Sequence, residues 1–289
     1  LLLNSILPEQ AQEVVRFGLT ATVCSFDVVQ AINEISTKLK TRACIHIKVD
    51  TGFGRFGILP EHALEFVKII SSNFSNIEIE GIYTHFSSAN NETITRRQFN
   101  KFMSVIEQFE GAGFNIQIRH ACNSAATLKY PDMHLDMVRV GNLMYDLCPS
   151  KGLDIKNPAK VFSKIVFLKT LPAGHNIGYG NRFRTRKPTE VAIVPFGYYD
   201  GLELLIMQPN GILDGIKSLL KQVLFCFGIP GQHRKVKING HHCDILGKVS
   251  MQNCMVDVTD LKGNVFIGDN VELFARKINL RQDMPRVYH

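Results

Sequence analysis

Short apolar runs alternate with longer amphipathic segments over residues 1–145. Several of the short runs are apolar at every other residue, which is typical of β-strands. The predicted strands are Leu1–Leu3, Ala21–Ser25, Cys44–Val49, Ile77–His85, Asn115–Ala121 and Met137–Leu143. The segments between them place apolar residues three and four positions apart and predict helices over Pro8–Phe17 and Phe26–Leu39, from Pro60 onward, and over Thr93–Phe109. A strict β, α, β, α order predicts a parallel sheet covered by helices.

The pattern changes after residue 158. Short strand-like runs now follow one another between Gly, Pro or Asn turns, with only Gly215–Lys221 helical in pattern. The predicted strands are Lys164–Lys169, Glu190–Phe196, Val223–Phe227, Val236–Ile238, Asp244–Val249, Met255–Val258 and Asn270–Phe274. This pattern predicts an all-β domain of barrel or sandwich type. We place the domain seam at Asn157-Pro158, with one domain over 1–158 and the other over 159–289.

The number of predicted strands in the first domain is smaller than a closed barrel needs. A (β/α)8 barrel uses roughly 30 residues for each βα unit, so about two further units would precede Leu1. The chain also opens inside an apolar run without a methionine. We therefore expect an α/β fold, a (β/α)8 TIM-like barrel lacking its first strands, followed by an all-β C-terminal domain.

Composition excludes several classes of protein. Of 289 residues, 45% are hydrophobic and 20% charged, which excludes disorder and low complexity. The net charge of +7 is spread over the chain, and the local basic runs Arg182–Lys187 and Arg234–Lys237 lie in polar stretches typical of solvated loops. No zinc-finger spacing or RNA-binding aromatic motif accompanies them, so we expect a small anionic ligand and no nucleic acid.

The seven cysteines are widely spaced and mostly flanked by apolar residues. This usage favours buried free thiols in a reducing compartment and argues against a metal cluster. The longest apolar run is shorter than the roughly 18 residues of a membrane span, and no signal-peptide pattern opens the chain. We therefore expect a cytoplasmic protein with no membrane contact and no metal.

Polar side chains follow four consecutive predicted strands, at the edge where active sites of parallel barrels lie. The stretches are Lys48 with Asp50–Arg55, Thr84-His85-Phe86, His120 to Asn123-Ser124, and Arg139-Val140-Gly141. Each has a structural explanation by itself: the Lys48 stem can pack against a helix layer, and Asn123-Ser124 can cap a helix or face a phosphate. Because all four stretches meet at one edge, a functional site is the better explanation.

The second domain adds two further candidate stretches, Gly197–Gly201 and Gly247–Met251. Tyr198 stands in a Gly-flanked turn. It can be a simple turn aromatic, or a general base if nearby cations lower the pKa of its hydroxyl. Spacing alone leaves both readings open.

At these residues the chain resembles the alanine racemases, which are fold-type III pyridoxal phosphate (PLP) enzymes. The matches occur in the family's order and span almost the whole chain. They are Lys48–Gly57, Thr84–Phe86, His120–Ser124, Val138–Gly141, Gly178–Gly180, Gly197–Gly201, Ser250-Met251 with Met255–Thr259, and Pro285–Tyr288. The resemblance implies an isomerase that binds PLP and acts on a small amino acid.

The resemblance also implies how the cofactor is held. Asn123, Ser124 and the backbone near Gly141 would bind the phosphate. His85 would pack against the pyridine ring and hydrogen-bond Arg139, which faces the pyridine nitrogen. A fixed cation there keeps that nitrogen unprotonated, and the weaker electron withdrawal favours racemisation over transamination.

Other residues match the family's acid/base and substrate groups. Tyr198 matches the tyrosine base, which the neighbouring subunit of a homodimer donates. Arg55 would steady the phenolate or the substrate carboxylate. Lys48 matches a lysine that is carbamylated in many relatives and orients Arg55. The backbone of Met251, also from the partner chain, would help bind the carboxylate.

The family's second base is the lysine that forms the Schiff base with PLP, on the first barrel strand, which we expect this chain to lack. Asn90, Lys248 and Gln252 also depart from the residues usual at the site entrance. The leading expectation is an alanine racemase supplying D-alanine for peptidoglycan. The alternatives are a broad-specificity or serine/lysine racemase, which the entrance substitutions favour, and a non-catalytic PLP-binding relative, which the absent lysine favours.

Overall fold

The computed structural model describes residues 1–145, 159–181, 183–203, 215–220, 234–275 and 277–288. The chain divides into two compact units, Leu1–Lys156 and Asn157–His289. The predicted seam at Asn157-Pro158 and the predicted strand Val223–Phe227 lie outside the described residues. No helix within these ranges is long and apolar enough to cross a membrane.

The N-terminal unit is a parallel sheet with helices between its strands, as the alternating pattern predicts. Its strands lie side by side in the order β1 (Ala21–Val23), β2 (Ala43–Lys48), β3 (Ile77–Tyr83) and β4 (Ile118–His120). The helices are α1 (Ala11–Arg16), α2 (Phe26–Leu39), α3 (Pro60–Asn73), α4 (Glu92–Gly111) and α5 (Ser124–Lys129).

Two of the predicted strands are not strands in the structure. Leu1–Leu3 makes a single backbone bond to the sheet region, from the Leu2 amide to the Thr20 carbonyl at 2.9 Å. Met137–Leu143 makes one isolated bridge, between Arg139 and Asn123. Its later amides, those of Gly141 and Leu143, donate to the Ser124 hydroxyl instead of to a neighbouring strand, and a 3-10 turn begins at Asn142. Met137–Leu143 has the apolar pattern of a strand but does not form a hydrogen-bond ladder with a neighbouring strand.

The sheet has one apolar and one polar face. Ile45, Ile47 and Ile82 belong to the hydrophobic core that includes the inner faces of α2, α3 and α4. Residues of the opposite parity face the other way. Register pairs Thr22 with His46, Lys48 with Tyr83, and Tyr83 with His120. We call these five buried side chains the polar face: Thr22, His46, Lys48, Tyr83 and His120.

A β-bulge interrupts the pairing of β2 with β3. Ile45 pairs with Ile79, but the next residue of β2, His46, pairs with Gly81. Glu80 is therefore the extra residue of β3. Bulges change the direction of side chains locally. The side chains at this bulge are those of Glu80 and of its neighbour His46.

The C-terminal unit is built of β-strands. They are β5 (Val161–Lys164), β6 (Phe167–Leu171), β7 (Asn176–Ile177), β8 (Phe183–Arg184), β9 (Thr189–Val194), β10 (Lys235–Ile238), β11 (His241–Leu246), β12 (Cys254–Asp257) and β13 (Asn270–Leu273). Seven of them form one sheet whose neighbouring strands are all antiparallel, in the order β5-β13-β10-β11-β12-β9-β6. The pair β7–β8 forms a separate hairpin. The predicted helix is present over 215–220.

The single strand predicted over Lys164–Lys169 is two strands in the structure, β5 and β6. They occupy opposite ends of the strand order although only Ile165 and Val166 separate them. The Ile165 amide bonds to Asp269 and the Val166 amide to Ile193, so the chain crosses from one sheet edge to the other at this point. The sheet must therefore curl on itself, in agreement with the predicted all-β domain.

Candidate active site

Arg139 ties together the ends of β3 and β4. Its Nη2 donates to the carbonyl of Thr84 at 2.8 Å and to that of Ala121 at 3.1 Å. The same nitrogen lies 3.5 Å from Nδ1 of His85, at the long limit of a hydrogen bond. Nη1 contacts Nδ1 of His120 at 2.5 Å. The structure thus brings the predicted pair Arg139 and His85 together.

One donor of this guanidinium has no partner. Nε of Arg139 is buried and makes no hydrogen bond within the described part of the chain. Burial lowers the pKa of Arg139 to about 10, which leaves it a cation at neutral pH. A buried charged donor without an acceptor is unfavourable, so Nε of Arg139 is poised to bind an acceptor from a ligand.

His85 is held as a neutral ring. Burial, and then the positive charges of Arg139, Lys48 and Arg55, lower the pKa of His85 to about 4. Its imidazole lies edge-on to Phe53, with ring centroids 5.3 Å apart. At neutral pH it therefore offers an uncharged aromatic surface beside the Arg139 cation.

Lys48 and Arg55 share an aromatic ring. The Lys48 Nζ lies 3.6 Å from the centroid of Phe56, and the Arg55 Cζ lies 5.1 Å from it. Arg55, which is exposed, also lies 4.6 Å from the centroid of Phe53. Burial, and then the charges of Arg55 and Arg139, lower the pKa of Lys48 to about 8. Close to neutral pH, Lys48 therefore has an appreciable uncharged fraction.

A tight turn presents these aromatic and cationic groups. Oδ1 of Asp50 accepts hydrogen bonds from the amides of Gly52 and Phe53, each at 2.8 Å, and Oδ2 accepts one from Gly54 at 2.9 Å. Burial raises the pKa of Asp50, but these amides outweigh it and hold that pKa below its usual value. Gly57 closes the turn at φ +137°, where a Cβ would lie 2.9 Å from the Asp50 amide nitrogen. Both facts fix the turn that carries Arg55.

Ser124 and Gly141 lie together beside β4. The Ser124 hydroxyl oxygen accepts hydrogen bonds from the Gly141 amide at 3.0 Å and from the Leu143 amide at 3.3 Å. The Asn123 side chain caps α5 by accepting from the Ala126 amide at 3.1 Å. The predicted phosphate-binding residues are thus neighbours, and the Asn123 side chain is used within the protein.

The C-terminal unit brings Tyr198 and Met251 together. The amide of Tyr198 donates to Ser250 at 3.1 Å, and the amide of Tyr199 donates to Met251 at 3.0 Å. At Gly197 a Cβ would collide with the Met251 carbonyl oxygen, so glycine is required for this close approach. Tyr198 and Met251 are 45% and 49% exposed, so both side chains are available to contact other groups.

Sequence reasoning assigned no role to four side chains that build the site, namely His46, Phe53, Phe56 and Tyr83. The alternation of Ile45 and Ile47 with His46 and Lys48 could have shown that one face of β2 is polar. Phe53 and Phe56 both lie at the site because of the turn that carries them, and the shape of that turn cannot be deduced from the residues next to either ring. Within the described ranges no group of three His, Cys, Asp or Glu could hold a metal ion.

Comparison with known proteins gives the same answer for both units. Residues 1–149 match the family "Alanine racemase, N-terminal domain" and residues 159–287 match "Alanine racemase, C-terminal domain". The alanine racemase of Methanococcus maripaludis is 34% identical over 284 residues, covering 96% of this chain and 69% of the relative. Alanine racemase 1 of Oceanobacillus iheyensis is 35% identical over 284 residues, covering 95% and 69%.

Solved structures agree. An alanine racemase of Clostridium difficile 630 matches with a TM-score of 0.76 at 30% identity, covering 95% of this chain and 67% of that one. One from E. faecalis matches with a TM-score of 0.73 at 28% identity, covering 94% and 67%. The predicted fold class, an α/β barrel domain followed by a β domain, is confirmed, as is the predicted isomerase class. With both domains matched in order and the motif residues in place, the chain belongs to the alanine racemase family.

Proposed function

We propose that the N-terminal unit binds PLP and that the protein racemises alanine. Family membership supports the reaction. The observation that carries the cofactor assignment is the unpartnered, buried Nε of Arg139 beside the neutral ring of His85.

The residues present fit the cofactor. A pyridine nitrogen carries one lone pair in the ring plane, and Arg139 Nε is a single buried donor without an acceptor. Because Arg139 remains charged, it disfavours protonation of a nitrogen next to it. The Ser124 hydroxyl oxygen accepts from the amides of Gly141 and Leu143, which leaves its own proton to donate to a phosphate.

When bound, PLP withdraws electrons from the α-carbon of an attached amino acid and makes its proton acidic. Arg139 limits that withdrawal by keeping the pyridine nitrogen neutral. A proton is then returned at the α-carbon more readily than elsewhere, and its return on the face opposite to the one it left would give the other enantiomer.

Proton transfer on one face of the α-carbon is assigned to Tyr198 of a partner chain. Its exposed position supports this role, since the hydroxyl is free to enter a neighbouring site. Arg55 would hold the phenolate or the substrate carboxylate, and the Met251 backbone, next to Tyr198, would bind the same carboxylate. Lys48, as a carbamate, would orient Arg55. The protein is then a homodimer whose active sites are complete only when shared.

The proposal places the protein in the cytoplasm, where D-alanine would supply peptidoglycan precursors. The described cysteines are free thiols, which supports a reducing compartment: Cys24, Cys44, Cys122, Cys243 and Cys254.

Cofactor binding is tested by titrating the chain with PLP and following absorbance. Arg139→Gln should weaken binding about tenfold or more, because a charged hydrogen bond contributes about 1.5–3 kcal/mol. Arg96→Gln changes an exposed arginine at the start of α4 and should leave affinity as it is. Equal affinity in Arg139→Gln and the unsubstituted chain would refute the assignment.

The reaction is tested with the full-length protein, because the resemblance implies a lysine as second acid/base and that lysine matches no position in residues 1–289. Alanine should be racemised faster than other members of a panel of L-amino acids. The panel also tests the broad-specificity alternative. Asn90, at a position where the resemblance to the family implies an acid, accepts a hydrogen bond from Lys129 Nζ at 2.7 Å. Equal rates on serine or lysine would favour that alternative.

A further inference from the structure

A series of buried and partly buried hydrogen bonds runs from Arg139 across the polar face of the sheet. Arg139 Nη1 contacts His120 Nδ1 at 2.5 Å. His120 Nε2 contacts His46 Nδ1 at 2.8 Å, and His46 Nε2 contacts Glu80 Oε2 at 3.0 Å. Two side chains, His120 and His46, therefore connect Arg139 with the carboxylate of Glu80.

The protons in this series of hydrogen bonds can be arranged in only one way. A guanidinium only donates, so His120 Nδ1 must accept. Burial lowers the pKa of His120 to about 2 and, as the largest cause, also lowers that of His46, so both rings are neutral at pH 7. A neutral imidazole has one N–H, so His120 Nε2 donates to His46 Nδ1, and His46 Nε2 then donates to Glu80.

Reversing this order would place two N–H groups against each other. If His46 carried its proton on Nδ1, His120 Nε2 would have to accept and His120 Nδ1 would carry the proton. That proton would face the Arg139 N–H at 2.5 Å. The carboxylate of Glu80, which can only accept when ionised, stabilises the same order from the other end.

The fold builds this arrangement with two devices. The bulge makes Glu80 the extra residue of β3 and places its carboxylate beside His46. The next residue, Gly81, leaves room for the His46 ring, because a Cβ there would lie 2.5–2.6 Å from three of its ring atoms. The Thr20 hydroxyl also donates to Glu80 Oε2 at 3.2 Å, which holds the carboxylate in place.

We propose that His46 and Glu80 are positioning residues: they stabilise the tautomer of His120 that Arg139 requires, and His120 in turn holds the Arg139 guanidinium with Nε left for a ligand nitrogen. The tautomers of His120 and His46 are assigned from the geometry of these hydrogen bonds alone. Its importance for the cofactor rests on the proposed function.

The first test measures the tautomers directly, by ¹⁵N NMR of the full chain labelled at histidine, without added PLP. His46 and His120 should both be protonated at Nε2 and not at Nδ1. Glu80→Leu removes the acceptor and should produce the other tautomer of His46 in part of the molecules. Glu80→Gln, whose amide oxygen can still accept, should restore the original pattern.

Glu78→Leu is the matched control. Glu78 lies on the same strand and carries the same charge, but it pairs with Arg42 at the surface. It should leave both tautomers unchanged. Protonation of His120 at Nδ1 in the unsubstituted chain would overturn the proposal, even if Glu80→Leu fails to fold. An unchanged His46 tautomer in Glu80→Leu, or an equal change in Glu78→Leu, would overturn it as well.

The second test links the tautomers to ligand binding. Glu80→Leu should weaken PLP binding about tenfold, the size of effect that loss of outer hydrogen-bond partners has for metal-ligating histidines, and Glu80→Gln should recover most of it. Shifted tautomers with unchanged PLP affinity would overturn the positioning role. If the unsubstituted chain does not bind PLP, the proposed function fails, while the tautomer result is still decided by NMR.

Discussion

The Nζ atom of Lys48 lies 3.6 Å from the centroid of the Phe56 ring, within a site that also contains two arginines. The ring face attracts the ammonium. Burial and the charges of Arg55 and Arg139 act in the opposite direction and lower the pKa of Lys48 to about 8. Lys48 is therefore a buried amine that loses its proton more easily than an exposed lysine.

An uncharged amine can add to carbon dioxide, releasing a proton and leaving a carbamate anion. We expect Lys48 to form this carbamate above pH 8, where most of its amine is uncharged. The positive charges of Arg55 and Arg139 would stabilise the anion. ¹³C NMR with labelled bicarbonate should show a protein-bound carbamate that disappears in Lys48→Arg. Lys101→Arg, at an exposed site on α4, should retain the signal. A carbamate that persists in Lys48→Arg would contradict the assignment.

Ser124→Ala should weaken binding of PLP about tenfold, because a hydrogen bond to a charged group is lost. Pyridoxal, which has no phosphate, should bind both proteins equally well. Ser72→Ala, at an exposed end of α3, is the control. Calorimetric titration with the two ligands measures the difference. An equal loss for both ligands would show that Ser124 acts on the fold and not on a phosphate.

Tyr198→Phe should reduce alanine racemisation by orders of magnitude in the full-length protein, because the proposed acid/base is removed. The absorbance spectrum of bound PLP should stay the same. Tyr199→Phe is a close control, since Tyr199 is the adjacent residue and its ring lies 5.0 Å from the Arg281 Cζ. Coupled assay with a D-amino-acid oxidase measures the rates. Full activity of Tyr198→Phe would exclude the assigned role.

Acid should destabilise the N-terminal unit in a defined pH range. The pKa of His85 is lowered from 6.5 to about 4, so the unfolded chain binds more protons than the folded one between these values. Stability is therefore fully present above pH 6.5 and falls as the pH decreases towards 4. His120, with a pKa of about 2, extends the loss to lower pH. Between pH 6.5 and 4, the free energy of unfolding in urea should fall less for His85→Gln than for the unsubstituted chain. An equal fall in both proteins would argue against a buried neutral ring at His85.

Gly81→Ala should destabilise the fold by about 1–3 kcal/mol, the usual effect of overpacking, because the added Cβ would collide with the His46 ring. Gly111→Ala, where a Cβ meets no atom within 4 Å, should not. Urea midpoints compare the two variants. If both changes have the same effect, the space at Gly81 is not what accommodates His46.

Local pattern was sufficient for the helices of the N-terminal unit. The predicted helix over Phe26–Leu39 has the bounds of α2, and Pro60 begins α3 as predicted. Apolar periodicity determines such segments because each helix buries one face against the same sheet. It failed at Met137–Leu143, where the amides of Gly141 and Leu143 bind the hydroxyl of Ser124. That partner is distant in sequence, so no local pattern indicates it.

Some residues of the candidate site were predictable from the sequence, but the hydrogen bonds between them were not. Lys48 and His85 follow from their positions at the ends of strands, whereas Arg139 was placed by a predicted strand that the structure does not form. The connection from Arg139 to Glu80 depends on which residues pair across β2 and β3, and the bulge changes that pairing by one residue. Register of this kind is a property of the assembled sheet.

The tight approach of Gly197 to the Met251 carbonyl has a consequence for any redesign of this protein. The loop that carries Tyr198 and the loop that carries Met251 are fastened at their backbones and must shift as one piece. Lengthening either loop alone would separate Tyr198, the proposed acid/base, from the Met251 backbone that we propose binds the substrate carboxylate. A larger substrate is therefore better accommodated by trimming side chains than by inserting residues.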